Sequence, residues 1–147
     1  MIVFDLDGTV VNSSHRYRAN EDGTVDLNHW RANCTPSQIA KDLELPLAAH
    51  WRQVRKQGVS IVVCTARIMT SADHTWLVRR GLIADLILSR EGIQDGRSGV
   101  IQKLEQLKRF APLWRSVTFF EDNPAIRHAI KKAYAFNCID PMELLNQ

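Results

Sequence analysis

Two aspartates one residue apart, closing a short apolar run, constrain this chain more than any other feature. The sequence opens Met1-Ile2-Val3-Phe4-Asp5-Leu6-Asp7-Gly8-Thr9-Val10. A short apolar run that stops in turn chemistry predicts a buried, parallel strand. In such sheets ligands sit just beyond the carboxyl ends of the strands, where Asp5 and Asp7 stand. Residues two apart on an extended chain point the same way, so both carboxylates face one pocket. Gly8 lets the chain turn sharply, and Thr9 brings a hydroxyl. Two carboxylates this close repel each other unless a cation or a shared proton relieves them. A hard, oxygen-seeking cation such as Mg²⁺ is the simplest relief.

The remaining chain alternates strand and helix signals. Residues 11–34 are turn-rich, with Arg16 and Arg18 between two polar clusters and a short helix opening near Asp26 to Trp30. Thr35-Pro36 reads as a cap followed by proline at the first helical position. Pro46 starts a helix with Leu47, Trp51 and Val54 on one face, stopped by Gly58. Further buried strands are expected at Val59–Cys64, Asp85–Ser89, Val117–Phe120 and Ala135–Ile139. Between them, Ser71 caps a helix carrying Trp76 and Leu77, and Val100, Ile101, Leu104, Leu107 and Phe110 share a helical face. Asn123-Pro124 caps the helix before the last strand, and the tail is short. Strands alternating with helices imply an α/β fold, a doubly wound parallel sheet with right-handed crossovers.

At 147 residues one domain with a real core is expected. Hydrophobic residues make up 45% and charged residues 24%, ordinary for a soluble globular protein. No apolar run is long enough to span a bilayer, and the opening run lacks the form of a signal peptide. Cys34, Cys64 and Cys138 lack metal-site spacing and fit a reducing cytoplasm. The formal charge of +3 permits an anionic substrate without requiring nucleic acid.

Chemically useful residues fall at successive strand ends: Asp5 and Asp7, then Thr65 and Arg67, then Glu121 and Asp122. Lys103 lies on the helix before the fourth strand. Singly, each has an ordinary alternative, such as a helix cap or a solvated lysine. As an ordered set they resemble the four motifs of the haloacid dehalogenase superfamily of phosphohydrolases. The resemblance covers nearly the whole chain and implies a Rossmann-like core with a small cap segment at about residues 11–45. It further implies that Asp5 attacks phosphorus, that Asp7 is the general acid and base, and that Thr65 and Lys103 hold the phosphoryl oxygens. Mg²⁺ is then held by Asp5, the Asp7 carbonyl and Asp122, with Glu121 acting directly or through water.

The sequence is also similar to the phosphatase domain of polynucleotide kinase/phosphatase enzymes. The shared positions are Arg16, Trp30, Asp42, Thr65-Ala66-Arg67, Thr75-Trp76-Leu77, Arg90, Asp95-Gly96-Arg97 and Lys103. That similarity implies that Arg16 and Arg67 touch the substrate phosphate region. Thr9, with its hydroxyl, is a further substrate-binding candidate, and Trp30, in a polar segment, is the candidate base-stacking platform. It points to 3′-phosphates on polynucleotide ends or nucleotides as substrate, with a lightly covered site admitting a polymer end. A mononucleotidase acting on 5′- or 3′-phosphates and an idle phosphate- or partner-binding protein are the alternatives. No membrane association or protein partner is indicated. No glycine-rich kinase loop is present. One departure is Gly99, where those enzymes often carry an aspartate four residues before the lysine. Lys103 is therefore either less firmly held or oriented by a different acid.

Overall fold

The computed structural model describes residues 1–146. In chain order the elements are β1 (Ile2–Phe4), β2 (Val11–Asn12), α1 (Leu27–Ala32), α2 (Pro36–Ile39), β3 (Leu43–Glu44), α3 (Leu47–Lys56) and β4 (Ile61–Cys64). They continue as α4 (Ser71–Arg79), β5 (Leu86–Leu88), α5 (Gly99–Leu107), β6 (Thr118–Phe120), α6 (Pro124–Tyr134), β7 (Asn137–Ile139) and α7 (Pro141–Leu145). Five strands form one parallel sheet in the order β5-β4-β1-β6-β7.

The apolar opening run is the central strand, and its side-chain alternation builds two cores. Phe4 points into one layer with Trp51, Val63 and Trp76, while Val3 points into the other with Val62, Phe119 and Ile130. Phe4 stacks on Trp51 with centroids 4.9 Å apart and on Phe120 at 5.4 Å. Trp51 and Trp76 are buried, as their helical spacing predicts. Chain direction switches sides at β1, because its two sheet neighbours are β4 and β6. Open α/β sheets bind ligands at such a switch point.

The sheet strands are shorter than the apolar runs that contain them, since pairing ends where the chain turns into loops. The helix expected to be capped by Ser71 is capped by Thr70, whose hydroxyl accepts from the Asp73 N–H while the Asp73 carboxylate reaches back to the Thr70 N–H. That reciprocal pair is a capping box. Phe110, expected on the face of α5, lies in a 3₁₀ stretch, Lys108–Ser116, containing Pro112. Two features are additional: β2 pairs antiparallel with β3, tying Val11 to Glu44, and the tail forms α7 behind an Asp140 cap. Among the described residues no helix is long and apolar enough to cross a membrane.

Candidate active site

Parallel register carries three strand ends to one place. Phe4 lies opposite Phe120, so the next step along both strands sets Asp5 beside Glu121. The Asp5 N–H donates to the Phe120 carbonyl at 3.0 Å, and the Thr65 N–H donates to the Leu88 carbonyl at 2.9 Å. Gly8 turns the chain with φ +81, and a side chain there would run into the Asp122 carboxylate. Glycine alone fits both the left-handed backbone and that close approach. The result is a cavity of about 1240 Å³ whose floor holds Asp5, Asp7, Lys103, Glu121 and Asp122.

Lys103 sits on the inward face of α5 and is 2% exposed. Its Nζ donates to Asp5 Oδ1 at 2.7 Å and to Glu121 Oε2 at 2.6 Å. The acid not found at Gly99 is thus supplied by Glu121. The other Glu121 oxygen accepts the Asn123 N–H at 3.0 Å. Arg127 Nη1 donates to the carbonyls of Glu121 and Asp122 and fixes the turn between β6 and α6. Burial pushes the Asp5 carboxyl up, outweighing Lys103. Burial and the neighbouring Asp5 push Glu121 up to about 8. Burial opposes the Lys103 charge, yet Asp5 and Glu121 outweigh it and hold the ammonium above its ordinary value. One ammonium between two carboxylates leaves excess negative charge, which a cation relieves.

The donor set fits such a cation. Carboxylate oxygens of Asp5, Glu121 and Asp122 lie within 4.8 Å of one another. Both Glu121 oxygens are engaged by Lys103 and Asn123, whereas the exposed Asp122 carboxylate accepts no hydrogen bond among the described residues. Asp5 and Asp122 are therefore the better-placed ligands for a hard ion.

Asp7 is held differently. Arg67 reaches its carboxylate through Nε at 3.1 Å and through Nη2, and the Ser13 hydroxyl donates to it at 2.5 Å. Burial pushes the Asp7 carboxyl up, but Arg67 and Ser13 prevail and hold it below its ordinary value. Arg67 is anchored in turn by Asp73 at 2.7 Å.

Three expected residues stand elsewhere than at an open substrate surface. Arg16 is fully buried and absent from the cavity lining; its Nε and Nη2 donate to the two Asp42 oxygens at 3.0 and 2.8 Å. The buried Thr9 hydroxyl donates to Asp5 Oδ2 at 3.1 Å and accepts the Asp122 N–H at 3.1 Å, tying two site loops together. The Thr65 hydroxyl is buried and accepts the Arg67 N–H at 3.1 Å. Trp30 lines the cavity, with the Arg16 guanidinium 4.4 Å from its ring centre. Sequence reasoning missed Ser13, Asp73 and Gln102. Gln102 Nε2 donates to the Thr65 carbonyl at 2.9 Å. Its only sequence signal is a polar residue on the inward face of α5.

Comparison with known proteins shows what the chain is similar to. The family described as Bacteriophage T5 5'-deoxynucleotidase matches residues 1–103. The 5'-deoxynucleotidase of Escherichia phage T5 is 35% identical over 86 residues, covering 56% of this chain and 35% of that protein. The chain thus spans about a third of the length of that relative. A chain of the Pnkp1/Rnl/Hen1 RNA repair complex superposes with a TM-score of 0.67 at 20% identity, over 95% of this chain and 41% of that one. A HAD-superfamily hydrolase of subfamily IA from Geobacter sulfurreducens PCA gives 0.65 at 15% identity, over 95% and 87%. A haloacid dehalogenase-like protein from Streptococcus pneumoniae gives 0.63 at 13%, over 99% and 96%. These solved structures share the fold, and the matched first 103 residues carry Asp5, Asp7, Thr65, Arg67 and Lys103: the chain belongs to the bacteriophage T5 5'-deoxynucleotidase family.

Proposed function

We propose that this protein is a Mg²⁺-dependent phosphomonoester hydrolase acting on nucleotides, with Asp5 as nucleophile. The observation that carries the reading is Lys103 Nζ within 2.7 Å of Asp5 and 2.6 Å of Glu121, beside the free carboxylate of Asp122. Phosphate monoesters resist attack because their own charge repels nucleophiles, so positive groups must be fixed in advance. Lys103 meets that need and holds the attacking Asp5 oxygen. Asp5 and Asp122 would hold the Mg²⁺, which would supply further positive charge against the phosphoryl oxygens.

In the first step an Asp5 oxygen bonds to phosphorus, the ester P–O bond breaks, and Asp7 gives its proton to the leaving oxygen. In the second, water attacks phosphorus, the bond to Asp5 breaks, and Asp7 takes up the water's proton. Asp7 must carry a proton for the first step, yet Arg67 favours its charged form. An entering phosphate competes for the Arg67 guanidinium, and the released Asp7 carboxyl then rises. The buried Thr65 hydroxyl accepts the Arg67 N–H and so positions the strand end that carries Arg67, and Glu121 positions Lys103.

The first substrate class is deoxynucleoside 5′-monophosphates, because a relative of 35% identity is named a 5'-deoxynucleotidase. A 3′-phosphate on a polynucleotide end is the second reading, supported by Arg67 and Trp30 at the cavity wall. Burial of Arg16 against Asp42 weighs against it, since Arg16 is then unable to grip a neighbouring phosphate. The test is phosphate release with Mg²⁺ from 5′- and 3′-mononucleotides, 3′- and 5′-phosphorylated oligonucleotides and sugar phosphates. Hydrolysis led by the 5′-mononucleotides supports the proposal. Absence of Asp5-dependent release from every substrate defeats it in favour of a binding protein.

A further inference from the structure

Above the acidic floor, the cavity wall changes character. Tyr17, Val25, Leu27, Trp30, Ile68 and Ile93 are among the residues that line the same cavity. Leu27 is 55% exposed and Ile93 66% exposed, and Tyr17 and Val25 are exposed as well. Apolar side chains left in water and gathered on one cavity mark a ligand surface rather than scattered surface leucines.

Two separate segments supply these residues, and both are fixed. Asp26 caps α1 by accepting the His29 N–H at 3.0 Å and is itself held by Arg18, which sets Leu27 at the first helical position. On the other segment, Arg90 donates to the carbonyls of Ala66, Asp95 and Arg97 at 2.9, 2.8 and 2.7 Å. Those three bonds pin the 90–99 loop beside Arg67 and keep Ile93 at the cavity. The apolar surface is therefore built into the site rather than left by a loose loop.

We infer that this wall is a nucleobase slot, filled by the base of a mononucleotide whose phosphate rests on Asp5 and Lys103. The occupant is argued from continuity, since one cavity holds both the phosphate-binding floor and the apolar wall. It is also argued from shape, since aliphatic and aromatic walls take a flat ring by stacking contact. Tyr17 contributes the one side-chain hydroxyl among the six residues, so the slot reads the presence of a base more than its identity. This inference rests on the phosphohydrolase reading and deepens it.

The experiment compares specificity constants for the four deoxynucleoside 5′-monophosphates with 2-deoxyribose 5-phosphate, which lacks a base. The wild type should favour the nucleotides by about 10- to 100-fold, the worth of one stacked base. Leu27→Ser combined with Ile93→Ser should collapse that ratio towards one; both positions are well exposed, and an unchanged Tm confirms the fold. A wild-type ratio near one, or a ratio that survives the double substitution, overturns the slot while leaving the phosphohydrolase standing. Discrimination among the four bases larger than the gain over the base-free sugar overturns it too. If no phosphomonoester is hydrolysed, the phosphohydrolase reading fails by itself, and calorimetric binding decides the slot. Tighter binding of deoxyadenosine 5′-monophosphate than of deoxyribose 5-phosphate, lost in the double variant, supports it; equal affinities overturn it.

Discussion

Replacing Asp42 by alanine should unfold this protein more readily than any surface change. Arg16 and Asp42 are both 1% exposed at the side chain, and the carboxylate takes two guanidinium bonds at 3.0 and 2.8 Å. Burial pushes the Asp42 carboxyl above its ordinary value even beside Arg16, so the pair is already costly to keep. The Asp42→Ala protein retains a buried guanidinium left with the Cys34 sulfur at 3.4 Å, the Trp30 ring and the charge of Asp7. Breaking a buried pair from one side costs about 3–5 kcal/mol. At about 2–4 °C per kcal/mol for a domain of this size, Tm falls by about 6–20 °C. Removing both charges, as in Arg16→Met with Asp42→Leu, should restore most of that loss. Urea unfolding at neutral pH measures all three proteins, with an unchanged slope as the sign of a common unfolded state. A loss below about 1 kcal/mol for Asp42→Ala would refute the reasoning, because that is the range of exposed pairs. An Arg16→Ala protein of wild-type stability but with no activity would instead return Arg16 to the substrate.

Lys103→Met should lower kcat by about 10²–10³, the usual loss for one preorganised charge-stabilising group; a steady-state assay with near-wild-type kcat contradicts its place beside Asp5. Asp122→Ala should raise the Mg²⁺ concentration needed for half-maximal rate, and excess Ca²⁺ should inhibit the wild type through its looser coordination. Undiminished hydrolysis in chelator contradicts the metal site. The folded pKa of Asp7 lies below its ordinary value, so its pair with Arg67 contributes stability above about pH 3.9 that is lost as pH falls through the folded pKa. Asp7→Asn should therefore lose less stability than wild type across that acid window in pH-dependent urea melts, and identical acid profiles count against the pairing.

The sheet and the acidic floor were readable because each rests on local pattern. Val3 and Phe4 alternate between two cores, Asp5 follows them directly, and register then brings Glu121 alongside. Asn123-Pro124 and Thr35-Pro36 carry their own cap chemistry, and both cap helices in the structure. What escaped depended on contacts distant in sequence. The β2–β3 ribbon is two residues a side, too short to show a period, and joins positions more than thirty apart. Glu121 as the partner of Lys103 is a meeting of side chains from α5 and the end of β6. Arg16 illustrates the limit most clearly. The resemblance to polynucleotide kinase/phosphatase enzymes puts it at the substrate phosphate, and only its pairing with Asp42, 26 residues away, shows it inside. Leu27 and Ile93 read as members of polar segments until the fold sets them on one cavity.

The central claim is that Asp5 forms a bond to phosphorus, and one comparison tests it most directly. Phosphate release from a deoxynucleoside 5′-monophosphate with Mg²⁺ is measured for wild type and for Asp5→Asn, each shown to be folded by circular dichroism. An amide in place of the carboxylate cannot form the acyl phosphate, so release by Asp5→Asn should fall to the rate without protein. Turnover by Asp5→Asn at a substantial share of the wild-type rate contradicts the account.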